Sequence, residues 1–245
     1  MFVAELNQPL TAMKSLVSTL LLLHIAAGVI ALFVGLVPMA VQKGNRLHKR
    51  AGLIYVWCMI VVAATALLLC GLQPFKMGRL FLTGIAVFSF YLCFTGWRAT
   101  KQKIGLFTPA DRFLTYLVLV TGVGMMGMGT YLATTLANWS LPIVFAFFGA
   151  LTTRFAWQDH AKYQNPTMKM AWFFQHFTRM GGSYIATITA ALVTNVHRVV
   201  PPGAPDWIGT VVWIAPSLAG GLLIGLTVVW YKKKFAGKVA VIARG

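Results

Sequence analysis

Leu16-Val17-Ser18-Thr19-Leu20-Leu21-Leu22-Leu23-His24-Ile25-Ala26-Ala27-Gly28-Val29-Ile30-Ala31-Leu32-Phe33-Val34-Gly35-Leu36-Val37-Pro38-Met39-Ala40-Val41 contains no Lys, Arg, Asp or Glu and gives way to Lys43-Gly44-Asn45-Arg46. At about 1.5 Å per helical residue, such a stretch crosses the roughly 30 Å hydrocarbon layer of a bilayer. It is too long for the core of a signal peptide, and the segment after it is basic, with no small-residue cleavage site. We therefore expect it to stay in place as a membrane anchor.

Working outward, apolar runs near 16–41, 51–72, 80–98, 113–135, 140–158, 171–196 and 207–231 are each long enough to span. No stretch between them can hold a soluble domain. The expected architecture is one domain, an all-α polytopic membrane bundle of about seven transmembrane helices, with a basic tail over 232–245. The third and fifth runs are the shortest, and the fifth is the weakest of the set.

Composition argues the same way. With 58% hydrophobic residues, 10% charged and a mean hydropathy of +0.76, the 245 residues have too little polar surface to cover a water-soluble globule. The net charge of +17 arises from 21 Lys and Arg against four acids, Glu5, Asp111, Asp159 and Asp206. In a soluble domain this balance would suggest a nucleic-acid partner. In short loops between apolar runs, the same cations orient the chain and contact anionic lipid head groups, so no nucleic-acid partner is expected.

Charge also gives direction. One side receives Lys43, Arg46, Lys49 and Arg50; Arg98, Lys101, Lys103 and Arg112; Arg154, Lys162, Lys169 and Arg179; and Lys232, Lys233, Lys234, Lys238 and Arg244. The other side receives only Lys14, Lys76, Arg79 and Arg198. The positive-inside rule then places the N-terminus outside and the C-terminus in the cytoplasm, as in a multi-pass protein of a bacterial cytoplasmic membrane. Cys58, Cys70 and Cys93 lie inside apolar runs without C-x-x-C spacing and read as small buried hydrophobes.

Polar groups inside a membrane are costly, so their positions carry the functional argument. His24 lies in the outer half of the first run, with Gly28, Ala31 and Gly35 on the same helical face. This pattern fits a small-residue packing seam, or a ligand-binding or proton-handling histidine. In the sixth run, His176, Arg179, Ser183, Thr187 and Thr194 recur at helical spacing beside Tyr184. Such a stripe should face the bundle interior or a wet cavity, and Gly181-Gly182 would let another helix or a flat ligand come close.

His48, His160, His176 and Asp159 gather near the cytoplasmic ends and form a candidate divalent-metal set, although no H-x-x-x-H spacing holds two of them on one turn. Ser183 has no G-x-S-x-G elbow, which argues against a hydrolase.

The segment His24-Ile25-Ala26-Ala27-Gly28-Val29-Ile30-Ala31-Leu32 with Gly35, and Arg46-Leu47-His48-Lys49-Arg50-Ala51-Gly52-Leu53-Ile54-Tyr55, resemble a bacterial family of predicted membrane proteins known as domain of unknown function 2306. His176, Met180, Ser183-Tyr184-Ile185-Ala186 and Thr189-Ala190 extend the resemblance to the sixth run. It implies an architecture and not an activity, and it singles out His24, His48, Gly52, Tyr55, His176 and Ser183.

Three functions stay open. The first is a redox protein holding haem b or exchanging electrons with quinone, with His24, His176, Ser183 and Tyr184 at the cofactor and Arg50, Arg154 and Arg179 facing the propionates. His24 and His176 are roughly 12–18 Å apart along the membrane normal by helix rise, too far to be axial ligands of one haem. The second is a transporter, channel or sensor with a polar pathway along the sixth helix. The third is an accessory subunit packed against a membrane-protein partner or a second copy of itself.

Overall fold

Two local sequences start helices by satisfying their free N–H groups. Asn45 accepts from the His48 backbone N–H at 2.7 Å, which fixes His48 in the first turn of the helix beginning at Arg46. Thr108-Pro109-Ala110-Asp111 forms a reciprocal capping box, with proline in the first turn where its missing N–H costs nothing. The computed structural model describes residues 2–102, 107–164, 170–201 and 203–242, with side chains over 12–235.

The helices are α1 (Phe2–Val34), α2 (Val37–Ala40), α3 (Arg46–Leu72), α4 (Met77–Ala99), α5 (Pro109–Thr135), α6 (Ser140–Gln164), α7 (Ala171–Asn195) and α8 (Trp207–Ile242), with a 3-10 turn at Val196–Arg198. The described residues contain no strand. Six stretches are long and apolar enough to cross a membrane: Ala12–Ala40, Arg46–Leu72, Met77–Ala99, Pro109–Thr135, Ser140–Gln164 and Trp207–Phe235. This is a multi-pass membrane helical protein.

The seven long helices coincide with the seven apolar runs, but the weak member is not the expected one. The fifth run, α6, qualifies as a span, whereas α7 does not, because its polar stripe dilutes its hydropathy. Instead α7 has protein around it, packing against α4 and α8 and touching α1.

Two boundaries move in ways that matter. The helix expected over 140–158 continues to Gln164. Arg154 therefore lies near its middle and not at a basic loop, and Arg179 likewise lies inside α7. The basic stretch from Lys232 continues α8 to Ile242. Lys103, Lys169 and Arg244 fall outside the described residues.

α4 occupies the centre, packing against α3, α5, α6 and α7. Half of its span is buried, against none of α8. Its apolar core joins Phe81, Phe88 and Leu92 to Met125, Phe145 and Phe148, and the Phe81 ring meets Phe145 at 5.1 Å and Trp213 of α8 at 4.9 Å, both edge-on.

The tightest helix pair is α5–α6, joined through glycine. A Cβ on Gly122 would lie 2.6 Å from the Thr153 backbone N, and one on Gly149 would lie 2.7 Å from the Met126 N. Nothing larger fits, so the two backbones touch. The seam expected on α1 has a different use. Gly28 has no neighbour within 4 Å of an added Cβ, whereas Gly35 leaves a slot for the Tyr184 ring, 2.6 Å from where its Cβ would be.

Candidate functional site

The end of the bundle where α4 and α6 finish and α3, α5 and α7 begin holds two polar layers. The first is ionic. Asp159 of α6 is 4% exposed and pairs with Arg179 of α7, itself 1% exposed, at 2.9 Å. Lys162 approaches the same carboxylate oxygen at 2.9 Å. The Tyr91 hydroxyl of α4 donates to the other oxygen at 2.5 Å.

Arg179 also donates to the Phe155 carbonyl at 2.9 Å and lies over the Phe155 ring at 4.4 Å. Its Nη1 is buried without a hydrogen-bond partner, so the aromatic face is what offsets that desolvation. From Tyr91 the network continues through Thr115 at 3.4 Å to Tyr163 at 2.6 Å, which donates to the Asp111 carbonyl. Nearer the loop, Arg98 holds Asp111 through two nitrogens at 3.0 and 2.8 Å.

The second layer is imidazole. His48 of α3 and His176 of α7, far apart in sequence, have ring centroids 6.3 Å apart at an interplanar angle of 69°. His176 Nδ1 is 2.9 Å from the Gly96 carbonyl, and His48 Nδ1 is 3.1 Å from the Pro38 carbonyl. A carbonyl only accepts, so both rings carry their proton on Nδ1. Each carbonyl belongs to the last turn of a helix, α4 or α2, where the chain supplies no i+4 donor.

Gly96 makes the approach possible, since a Cβ there would be 3.0 Å from the Arg179 Cβ and from the Met180 N. Among the described residues, neither Nε2 has a hydrogen-bond partner. A ring held through Nδ1 with Nε2 left open is the arrangement of a metal-ligating histidine. Lys43 donates to the same Pro38 carbonyl at 2.7 Å, and burial pulls its pKa below the ordinary lysine value.

One helical step deeper, Tyr55 of α3 meets Ser183 at 2.8 Å and Thr187 at 3.1 Å, all three buried. Tyr184 donates to the Leu32 carbonyl at 2.8 Å, capping α1 as His176 caps α4. The polar stripe of α7 thus faces protein at Arg179, Ser183 and Thr187, but Thr194 is exposed. The close approach at Gly181 and Gly182 is made by Ile224 of α8 and Leu92 of α4, leaving no slot there for a flat ligand.

The expected site residues divide accordingly. His24 Nδ1 bonds the Val62 carbonyl at 3.1 Å and the Thr65 hydroxyl at 3.0 Å. That level of α3 is about 20–25 Å along the helix from His48, so His24 and His176 lie in different layers. Arg50 is exposed and without a partner among the described residues, two positions beyond His48. Arg179, 1% exposed, is held by Asp159, which it shares with Lys162.

His160 turns to Tyr116 at 3.2 Å and to Gln164 and Trp157, away from the histidine pair. The set His48, His160, His176 and Asp159 is therefore not brought together, and among the described residues no group of three or more metal-ligating side chains occurs. Tyr91, Thr115, Lys162 and Tyr163 were not singled out in sequence. The available signal was Asp159 itself, a carboxylate on an apolar helix that demands donors, but apart from Lys162 on its own helix the donors come from α4 and α7.

Compared with known proteins, the chain matches no family model, no curated protein and no solved structure.

Proposed function

We propose that this chain is a redox-active membrane protein of the bacterial cytoplasmic membrane, basic face inward, in which His48 and His176 hold one metal centre, haem b fitting best. The observation that carries this reading is the histidine pair: two imidazoles from different helices, each fixed through Nδ1 on a backbone carbonyl, with both Nε2 atoms open. Their ring centroids lie 6.3 Å apart, close enough for both imidazoles to reach one metal ion. With no third ligand nearby among the described residues, a two-ligand macrocycle suits the pair better than a bare divalent ion.

Bound there, a haem would supply one-electron chemistry. The chain would supply two imidazole nitrogens, a fixed tautomer for each, and Arg50 for a propionate. Quinone is the expected redox partner. The six positions singled out by the resemblance to domain of unknown function 2306 lie on α1, α3 and α7, four of them around this pair and the hydroxyl cluster beneath it.

The test is an oxidised and dithionite-reduced visible spectrum of detergent-purified protein with metal analysis. We expect near one haem per chain, lost in H48A and H176A and kept in H24A. A colourless, folded, iron-free protein overturns the reading.

The buried Tyr55, Ser183 and Thr187 hydroxyls support a second reading, a pathway for a small neutral solute. Solute flux in proteoliposomes, abolished by Y55F with S183A, would favour it; no flux across a broad panel would end it.

A further inference from the structure

Arg154 is out of place for a lipid-facing residue. It is exposed on α6, 14 residues from Ser140 and 10 from Gln164, and no hydrogen bond or ion pair engages it among the described residues. Its depth can be read from α5. The neighbouring Thr153 packs on Gly122, the central residue of Pro109–Thr135. Arg154 therefore sits near the middle of the α5–α6 pair, ten residues or about 15 Å of helix rise from the end of α6, and a charge exposed to lipid along a spanning helix is costly.

The stripe around it is not what lipid selects. Ile143, Ala150, Arg154, Trp157 and Ala161 are exposed at heptad-like spacing, and Gln158, one turn from Arg154, is also exposed and without a partner among the described residues. Small residues flanking polar ones at this spacing are how membrane helices pack on one another.

We propose that this face of α6 docks a transmembrane helix of a different membrane protein, one that presents an Asp or Glu to Arg154. Charge complementarity selects the occupant. Every described carboxylate of this chain is engaged elsewhere: Asp111 by Arg98, Asp159 by Arg179 and Lys162, and Asp206 by Asn138 at the opposite end of the bundle. A two-fold dimer through this face would set Arg154 against Arg154, which like-charge repulsion in a low dielectric forbids. The inference depends on membrane insertion and not on the metal centre at His48 and His176.

The test places a photo-crosslinking amino acid at Ala150, and separately at Ala161, in the full chain in its own membrane. We expect one partner polypeptide crosslinked from both positions. Its yield should fall at least tenfold in R154L, persist in R154K, and return when R154D is combined with Lys in place of the partner's acid. R154L removes an exposed, unpaired charge from α6 and should fold, with a thermal midpoint in detergent at or above that of the unaltered chain. Adducts with lipid alone, with a second copy alone, or with a partner whose yield R154L leaves unchanged would each overturn the proposal.

Discussion

The α5–α6 hairpin and the α3–α7 interface solve the same problem in opposite ways. Between α5 and α6, glycines at 122, 129 and 149 let backbone approach backbone, with the hydrogen-bonded Thr115–Tyr163 pair nearer the end. Between α3 and α7, the contact is made by side chains: Tyr55 hydrogen-bonds Ser183 and Thr187, and the His48 and His176 rings meet while each bonds a carbonyl of another helix, α2 or α4. Lipid offers no hydrophobic drive to bring helices together, so association depends on close packing or on polar pairing. Packing uses every atom at the contact. Polar pairing can leave one atom of each group open, as at the two Nε2 positions, and an open, pre-oriented ligand atom is what a site requires.

The sharpest way to separate structural from functional polarity is D159N. It strips the counter-charge from an arginine 1% exposed, and breaking a buried pair in this way costs about 3–5 kcal/mol. The expected result is a large loss of folded protein on thermal melting in detergent. A loss no greater than that of D111N, at the partly exposed Arg98 pair, would show that the ionic layer is hydrated and not structural.

Next in size is G149A. Its new Cβ would meet backbone atoms that cannot rotate away, so a cost of about 1–3 kcal/mol is expected. The paired control is G124A, where nothing lies within 4 Å, and exchanging glycine for alanine in a helix should stabilise by roughly 0.5–1 kcal/mol. Equal melting temperatures for the two variants would break the distinction between the hairpin seam and the rest of α5.

Smaller again is Y184F, which loses one hydrogen bond to the Leu32 carbonyl. The usual net worth of such a bond sets the expected loss at about 0.5–1.5 kcal/mol. Of similar size is the effect on stability of H48A and H176A in cofactor-free protein, each about 1 kcal/mol. The same two substitutions should have the largest effect on the visible spectrum. If either one unfolds the protein as D159N does, the α3–α7 histidines are structural like the ionic layer, and the contrast between the two regions fails.

Sequence alone determined the number and place of the long helices, because hydropathy and loop charge are local sums that need no knowledge of neighbours. It also determined that polar residues on α7 had to be sheltered, although it overextended the stripe to the exposed Thr194. Tertiary structure decided which polar groups meet. That His48 finds His176, that Asp159 takes Tyr91 from α4 as well as Arg179 from α7, and that the α1 glycine at 35 houses a tyrosine ring all depend on which helix faces touch. Helical periodicity defines a face but not its neighbour. Arg154 shows the limit most plainly: six further helical residues at the end of α6 turned an expected loop cation into one near the middle of a helix, because its level is set by where the helix ends and what lies beside it.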